Sequence, residues 1–331
     1  MIKIRRLTWP WSGILSGLLL FSCSGESDIE VWSSDYPGPA VYESSNAIRL
    51  TEKDSLRILA IGNSYTWDAT RCLKPILQES HIKSDRYCVY LLTHGGASLE
   101  YWSRAYANND SDTIAKVAGQ IEMPTTQGIL SDLFAQNWDV VILQQYSGLA
   151  PNYYSYNPYL KLLANAVRMH CTNKDVLLAW NLIHSYYSSY KDNRGDSEKR
   201  WRAIANAAKW VMASDSVDIL IPIGTAIQNA RNTDLFGKHE LTRDGTHLAF
   251  GCANYIASCV LIEKIFYPVF NYTCKNSHYM DTVCPEPDSD QYYEDFWIAV
   301  TDSNRSVCHD CAIQACARPY ELSNVATLNY Y

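Results

Sequence analysis

The chain has 331 residues, of which 47% are hydrophobic and 19% charged, with a formal net charge of -7 at pH 7. That length provides for one large domain with a substantial core. The acidic balance, with no basic run to offset it, argues against a nucleic-acid partner.

The first residues read as an export leader rather than part of the fold. Lys3, Arg5 and Arg6 make a basic head, and 14–21 is an apolar stretch too short to cross a bilayer as a helix. Leu20-Phe21-Ser22-Cys23 resembles a bacterial lipoprotein processing site, which implies a signal peptide over 1–22 and lipidation of Cys23. Phe21 is bulkier than the residue usual there, and an ordinary secretory signal is the other reading. The expected destination is the outer membrane, on its periplasmic or cell-surface face, with the lipid anchor as the one contact with the membrane. Loss of 1–22 removes Lys3, Arg5 and Arg6 and no acidic group, so the net charge moves from -7 to -10. Residues 23–54, rich in Ser, Pro, Gly and acidic side chains, read as a tether and irregular lead-in.

Beyond them, short β-like runs alternate with helical patterns. Strands are expected at 56–61, 87–92, 140–143, 176–180 and 219–223, with helices at 69–79, 128–136, 158–169, 197–213 and 248–266. This alternation predicts an α/β domain over 55–270, a mainly parallel five-stranded sheet between two helical layers. The first run ends abruptly in Gly62-Asn63-Ser64, which puts Ser64 at the carboxyl end of a strand, where open α/β sheets bind ligands. Far along the chain, Asp244-Gly245-Thr246-His247 supplies a carboxylate and an imidazole three residues apart, just before the last helix. A hydroxyl needs such a base to become a nucleophile, and the base needs a carboxylate to fix its tautomer.

The Gly-Asn-Ser turn, the later Asp-x-x-His and their order resemble the SGNH (GDSL-like) hydrolase superfamily, which includes lipases and carbohydrate esterases. The resemblance spans about 56–266 and implies a flavodoxin-like fold with Ser64 as nucleophile, His247 as base and Asp244 as its orienting partner. It also implies an oxyanion hole built from the Ser64 amide and a glycine after the second strand, for which Gly95 and Gly96 are candidates. The third block departs from the family. Where Gly-x-Asn is usual, this chain has Gln144-Gln145-Tyr146, so either glutamine is a candidate for the side-chain donor. That departure is similar to a poorly characterised branch of the superfamily. No metal or organic cofactor is required for this chemistry.

Aromatic residues follow the strand ends. Trp67, Tyr146, Tyr153, Tyr154 and Tyr186, with His184, are expected to rim the site and stack on or bond to a sugar. The expected substrate is therefore an acylated glycan, or another small ester, with acetyl as the acyl group. Two other readings stay open: a lipase of the same fold, and a glycan-binding surface lipoprotein without turnover. Residues 271–331 form a Cys-rich extension, with Cys274, Cys284, Cys308, Cys311 and Cys316 among Pro, Asp and Tyr, and an acidic helix around 289–300. In an exported chain these cysteines are expected to form disulfides, with a zinc knuckle or a redox pair at Cys308-x-x-Cys311 as the alternatives.

Overall fold

Runs dominated by Leu, Ile and Val supply the centre of the sheet, because residues of this kind fill a pleat that is covered on both faces. A computed structural model describes residues 43–122, 128–186, 194–214, 216–237, 239–284 and 296–325. The expected leader, Cys23 and most of the tether lie outside the described residues. Strands β1 (Leu56–Gly62), β2 (Tyr87–Thr93), β4 (Val140–Leu143), β5 (Leu177–Asn181) and β6 (Ile219–Ile221) run parallel in the order β2-β1-β4-β5-β6.

The expected count of five is corrected to six. Strand β3 (Ile114–Gly119) pairs antiparallel with β2 at the sheet edge. Its sequence, Ile-Ala-Lys-Val-Ala-Gly, is half exposed along most of its length and carries Lys116. Such an edge strand lacks the continuous apolar signature of its buried neighbours, so the sequence pattern did not reveal it.

Helices cover both faces. On one lie α1 (Ser64–Thr70), α2 (Leu73–Glu79), α7 (Ile223–Arg231) and α8 (Cys252–Leu261), the last continued by a π-turn at Ile262–Phe266. On the other lie α3 (Leu99–Asn108), α4 (Leu130–Phe134), α5 (Tyr159–His170) and α6 (Arg194–Ala213). The single helix expected at 69–79 is two, because the chain turns at Arg71 and Cys72. Helix α7 occupies a stretch expected to be partly strand and partly loop, and is buried along its whole length.

The C-terminal segment is no appendage. After α9 (Tyr267–Phe270), helix α10 (Arg305–Ala317) buries Cys308, Cys311, Ala312 and Ala315 in the core formed with α7 and α8. Thr225 donates its hydroxyl to the Pro319 carbonyl at 2.5 Å, and Asn229 accepts from Ser323 N–H at 2.9 Å. The acidic helix expected at 289–300 lies mostly outside the described residues, and its end is instead β8 (Trp297–Ile298), paired with β7 (Phe250–Gly251). The tail cysteines Cys274, Cys308, Cys311 and Cys316, expected to form disulfides, are free thiols in this structure, and with Cys72, Cys88, Cys171, Cys252 and Cys259 they pack at least partly in apolar surroundings. No group of three or more His, Cys, Asp or Glu among the described residues is arranged to hold a metal, so the zinc alternative has no ligand set. At the other end, a 3-10 helix at Ser45–Glu52 buries Leu50, and Ser44 reaches Asp218, so the described part of the lead-in, 43–54, is docked on the domain.

Candidate active site

The β1 exit is tight. A side chain at Gly62 would start 2.2 Å from Thr66 Oγ1 and under 3 Å from Gln144, so only glycine fits. Asn63 then caps α1, its Oδ1 accepting the Tyr65 N–H at 3.1 Å, and Ser64 becomes the first helical residue. Its own amide has no partner among the described residues, as expected of a helix N-terminus. The Asn63 position is further fixed by a chain of buried amides: Asn181 Nδ2 donates to Gln144 Oε1 at 2.9 Å, and Gln144 Nε2 donates to Asn63 Oδ1 at 2.8 Å.

Ser64 Oγ lies 2.7 Å from His247 Nε2, and His247 Nδ1 lies 2.5 Å from Asp244 Oδ2. These two contacts join residues 183 positions apart in sequence into a hydroxyl–imidazole–carboxylate row. Asp244 turns its other oxygen to the N–H groups of Thr246 (2.9 Å) and His247 (2.7 Å), and Gly245 takes the left-handed conformation (φ +77°) that closes the turn. Burial alone would raise the Asp244 carboxyl, but the His247 ring and these two amides outweigh it and hold the group at about 2. It is therefore ionised at neutral pH, which keeps a proton on Nδ1 and leaves Nε2 to accept one from Ser64.

The loop carrying Asp244 and His247 is anchored from three sides. Arg243, next to Asp244, makes a 2.9 Å ion pair with Asp68, which sits four residues after Ser64 on α1 and also accepts the Leu248 N–H at 2.9 Å. Arg243 N–H donates to the His247 carbonyl at 2.8 Å. His184, at the end of β5, donates Nε2–H to the Thr246 carbonyl at 2.8 Å and stacks on Tyr65 at 4.2 Å. Burial depresses His184 to about 3, the Thr246 carbonyl opposing it, so this ring stays neutral.

Gly95 and Gly96 stand beside this row on a loop pinned by Asn63 Nδ2, which donates to the Ala97 carbonyl at 3.0 Å. Their N–H groups have no partner among the described residues, and a Cβ on either would meet nothing within 4 Å. Together with the Ser64 amide they are donors left unspent among the described residues, which an oxyanion hole needs. Gln145 does not join them. Its Oε1 accepts from Leu99 and Tyr146 N–H, and its Nε2 donates to Ser155, so its amide is committed elsewhere. Gln144 lies behind Asn63 and braces the turn.

The family model described as Domain of unknown function (DUF4886) matches residues 57–288. The chain belongs to the DUF4886 family. Its structure is similar to the 1.50 Å crystal structure of a DUF4886 family protein from Bacteroides uniformis ATCC 8492, with a TM-score of 0.67 and 24% identity. That likeness covers 83% of this chain and all of that one, and concerns the fold. No curated protein matches the chain.

In this DUF4886 chain the remaining expected site residues divide. Trp67 and Tyr146 expose their rings near the row, and Trp67 Nε1 donates to Thr93 Oγ1 at 2.9 Å. Tyr154 is exposed on the loop after β4. Tyr186 packs its ring under Arg200, whose guanidinium lies 4.6 Å above it. Tyr153 instead stacks on Trp210 and tilts against Tyr156, filling the α5–α6 side of the core. His184, expected to touch substrate, is buried behind the loop it supports. Asp68, Arg243 and Asn181 were missed. Arg243 adjoins Asp244 and Asp68 lies one helical turn past Ser64, but nothing in the sequence says that they meet across 175 residues.

Proposed function

We propose that this chain is an exported serine esterase of the SGNH hydrolase type that cleaves an acyl ester, acetyl by preference, carried on a glycan. The observation that carries the reading is the row Ser64 Oγ, His247 Nε2, Asp244 Oδ2, with spacings of 2.7 and 2.5 Å. Ser64 attacks the ester carbonyl as its proton passes to His247, and the negative charge on the tetrahedral intermediate is held by the amides of Ser64 and of Gly95 or Gly96. His247 then gives the proton to the departing alcohol. Water, activated by the same imidazole, releases the acyl group and restores Ser64. The open glycine loop and the exposed faces of Trp67 and Tyr146 support a polar, ring-shaped alcohol over a lipid tail. Export and lipidation at Cys23 belong to the same proposal and rest on the sequence alone.

Hydrolysis of 4-nitrophenyl acetate, then release of acetate from acetylated glycans, tests it with Ser64→Ala as the control. Turnover that the substitution abolishes supports the reading. A wild-type chain inert toward both ester classes contradicts it.

A further inference from the structure

One strand along from Ser64 stands a second imidazole–carboxylate pair. His94 follows directly after β2, and its N–H donates to the Gly62 carbonyl at 3.3 Å, so it stands across from the turn that displays Ser64. The next two residues are Gly95 and Gly96. Its Nδ1 lies 2.9 Å from Asp112 Oδ2, and its ring stacks on Tyr101 with centroids 4.5 Å apart. Tyr101 donates its hydroxyl to the same Asp112 oxygen at 2.5 Å, while Asp112 Oδ1 accepts the Thr113 N–H at 2.7 Å. Burial and the Asp112 carboxylate push the Tyr101 phenol up to about 12, which keeps it a donor.

This arrangement fixes a ring that would otherwise rotate freely. The His94 side chain is 49% exposed and the Asp112 side chain 11%. A contact so open to water contributes little to stability, so its effect is on orientation. The Tyr101 oxygen also lies 2.9 Å from Nδ1, but its proton is spent on Asp112, so the carboxylate selects the tautomer with the proton on Nδ1 and leaves the lone pair on Nε2. Among the described residues Nε2 has no partner. A fixed, water-facing acceptor beside the glycine loop suits a hydroxyl donor and gives nothing to a hydrocarbon chain.

We infer that His94, oriented by Asp112 and Tyr101, is a sugar subsite in which Nε2 accepts a hydrogen bond from a ring hydroxyl of the alcohol part of the ester. The inference rests on the esterase reading for its substrate and adds the group that selects glycans. The probes are a mono-O-acetylated methyl xyloside, which has ring hydroxyls, and 4-nitrophenyl acetate, which has none. His94→Ala is expected to lower kcat/KM for the xyloside about tenfold more than for the aryl ester, mainly through KM. Asp112→Asn acts in the same direction with a smaller effect, and His94→Gln, which restores an acceptor, recovers part of the loss. Equal losses on both esters, or none, overturn the subsite. Calorimetric titration of Ser64→Ala protein with the acetylated xyloside reads the subsite without turnover. Binding weakened by His94→Ala, in a chain whose wild type hydrolyses nothing, would keep the subsite and remove the esterase. Hydrolysis with no His94 effect would do the reverse.

Discussion

The turn after β1 and the loop before α8 meet at one point, yet they are held there by different means. The turn is set mostly by its own neighbourhood, a strand that stops, a glycine that alone fits at 62 and an Asn63 cap one residue before Ser64, with Gln144 bracing the cap. The loop is set from a distance. Its Arg243 needs Asp68, its Thr246 carbonyl needs His184, and its Leu248 amide needs Asp68 again. A local device survives change elsewhere in the chain. A remote one fails when any partner fails, and the account predicts different consequences on the two sides.

The largest effect expected is on the row itself. Ser64→Ala should reduce ester turnover by at least about 10³-fold while leaving the melting temperature within a few degrees, because no buried contact is lost. Next comes the remote anchor. Arg243→Met leaves Asp68 buried with no cation, which should cost about 3 kcal/mol in urea denaturation and lower turnover as well. If that variant is as stable as wild type, the loop is not held as described. On the side of the turn, Gln144→Leu leaves Asn181 Nδ2 without its acceptor and takes one of two donors from Asn63 Oδ1, which should cost about 2 kcal/mol. Of similar size, but spread over two pH units, is a pH dependence. His184 has a folded pKa near 3 against 6.5 unfolded, so its contribution is present above about pH 6.5 and is lost as pH falls toward 3. From pH 7 to pH 5 this group should remove about 2 kcal/mol, and His184→Gln should abolish that share of the slope.

The same contrast explains what could be read from the sequence. The parallel strands were legible as apolar runs of strand length, Ser64 as a motif at the end of the first, and Asp244 and His247 as a motif before the last long helix. Strand β3 was not, because an edge strand with Lys116 has no continuous apolar run. Helix α10 was not, because its cysteines suggested a cross-linked tail when they are small buried residues facing α7 and α8. The structural duties of Gln144, Gln145 and His184 were illegible for a third reason. A polar side chain near a strand end reads as substrate-facing from sequence, and only its partners reveal that it turns inward. Tyr153 misled in the same way, its ring being spent on Trp210.

The central claim is that Ser64 is an activated nucleophile, and covalent labelling tests it without knowledge of the substrate. The chain would be treated with a fluorophosphonate and digested, and the adduct located by mass spectrometry. The account predicts one adduct, on Ser64, strongly slowed in His247→Ala and unaffected in rate by a distant surface change such as Glu198→Gln. An unlabelled chain, or labelling at Ser64 that is as fast without His247, would contradict it.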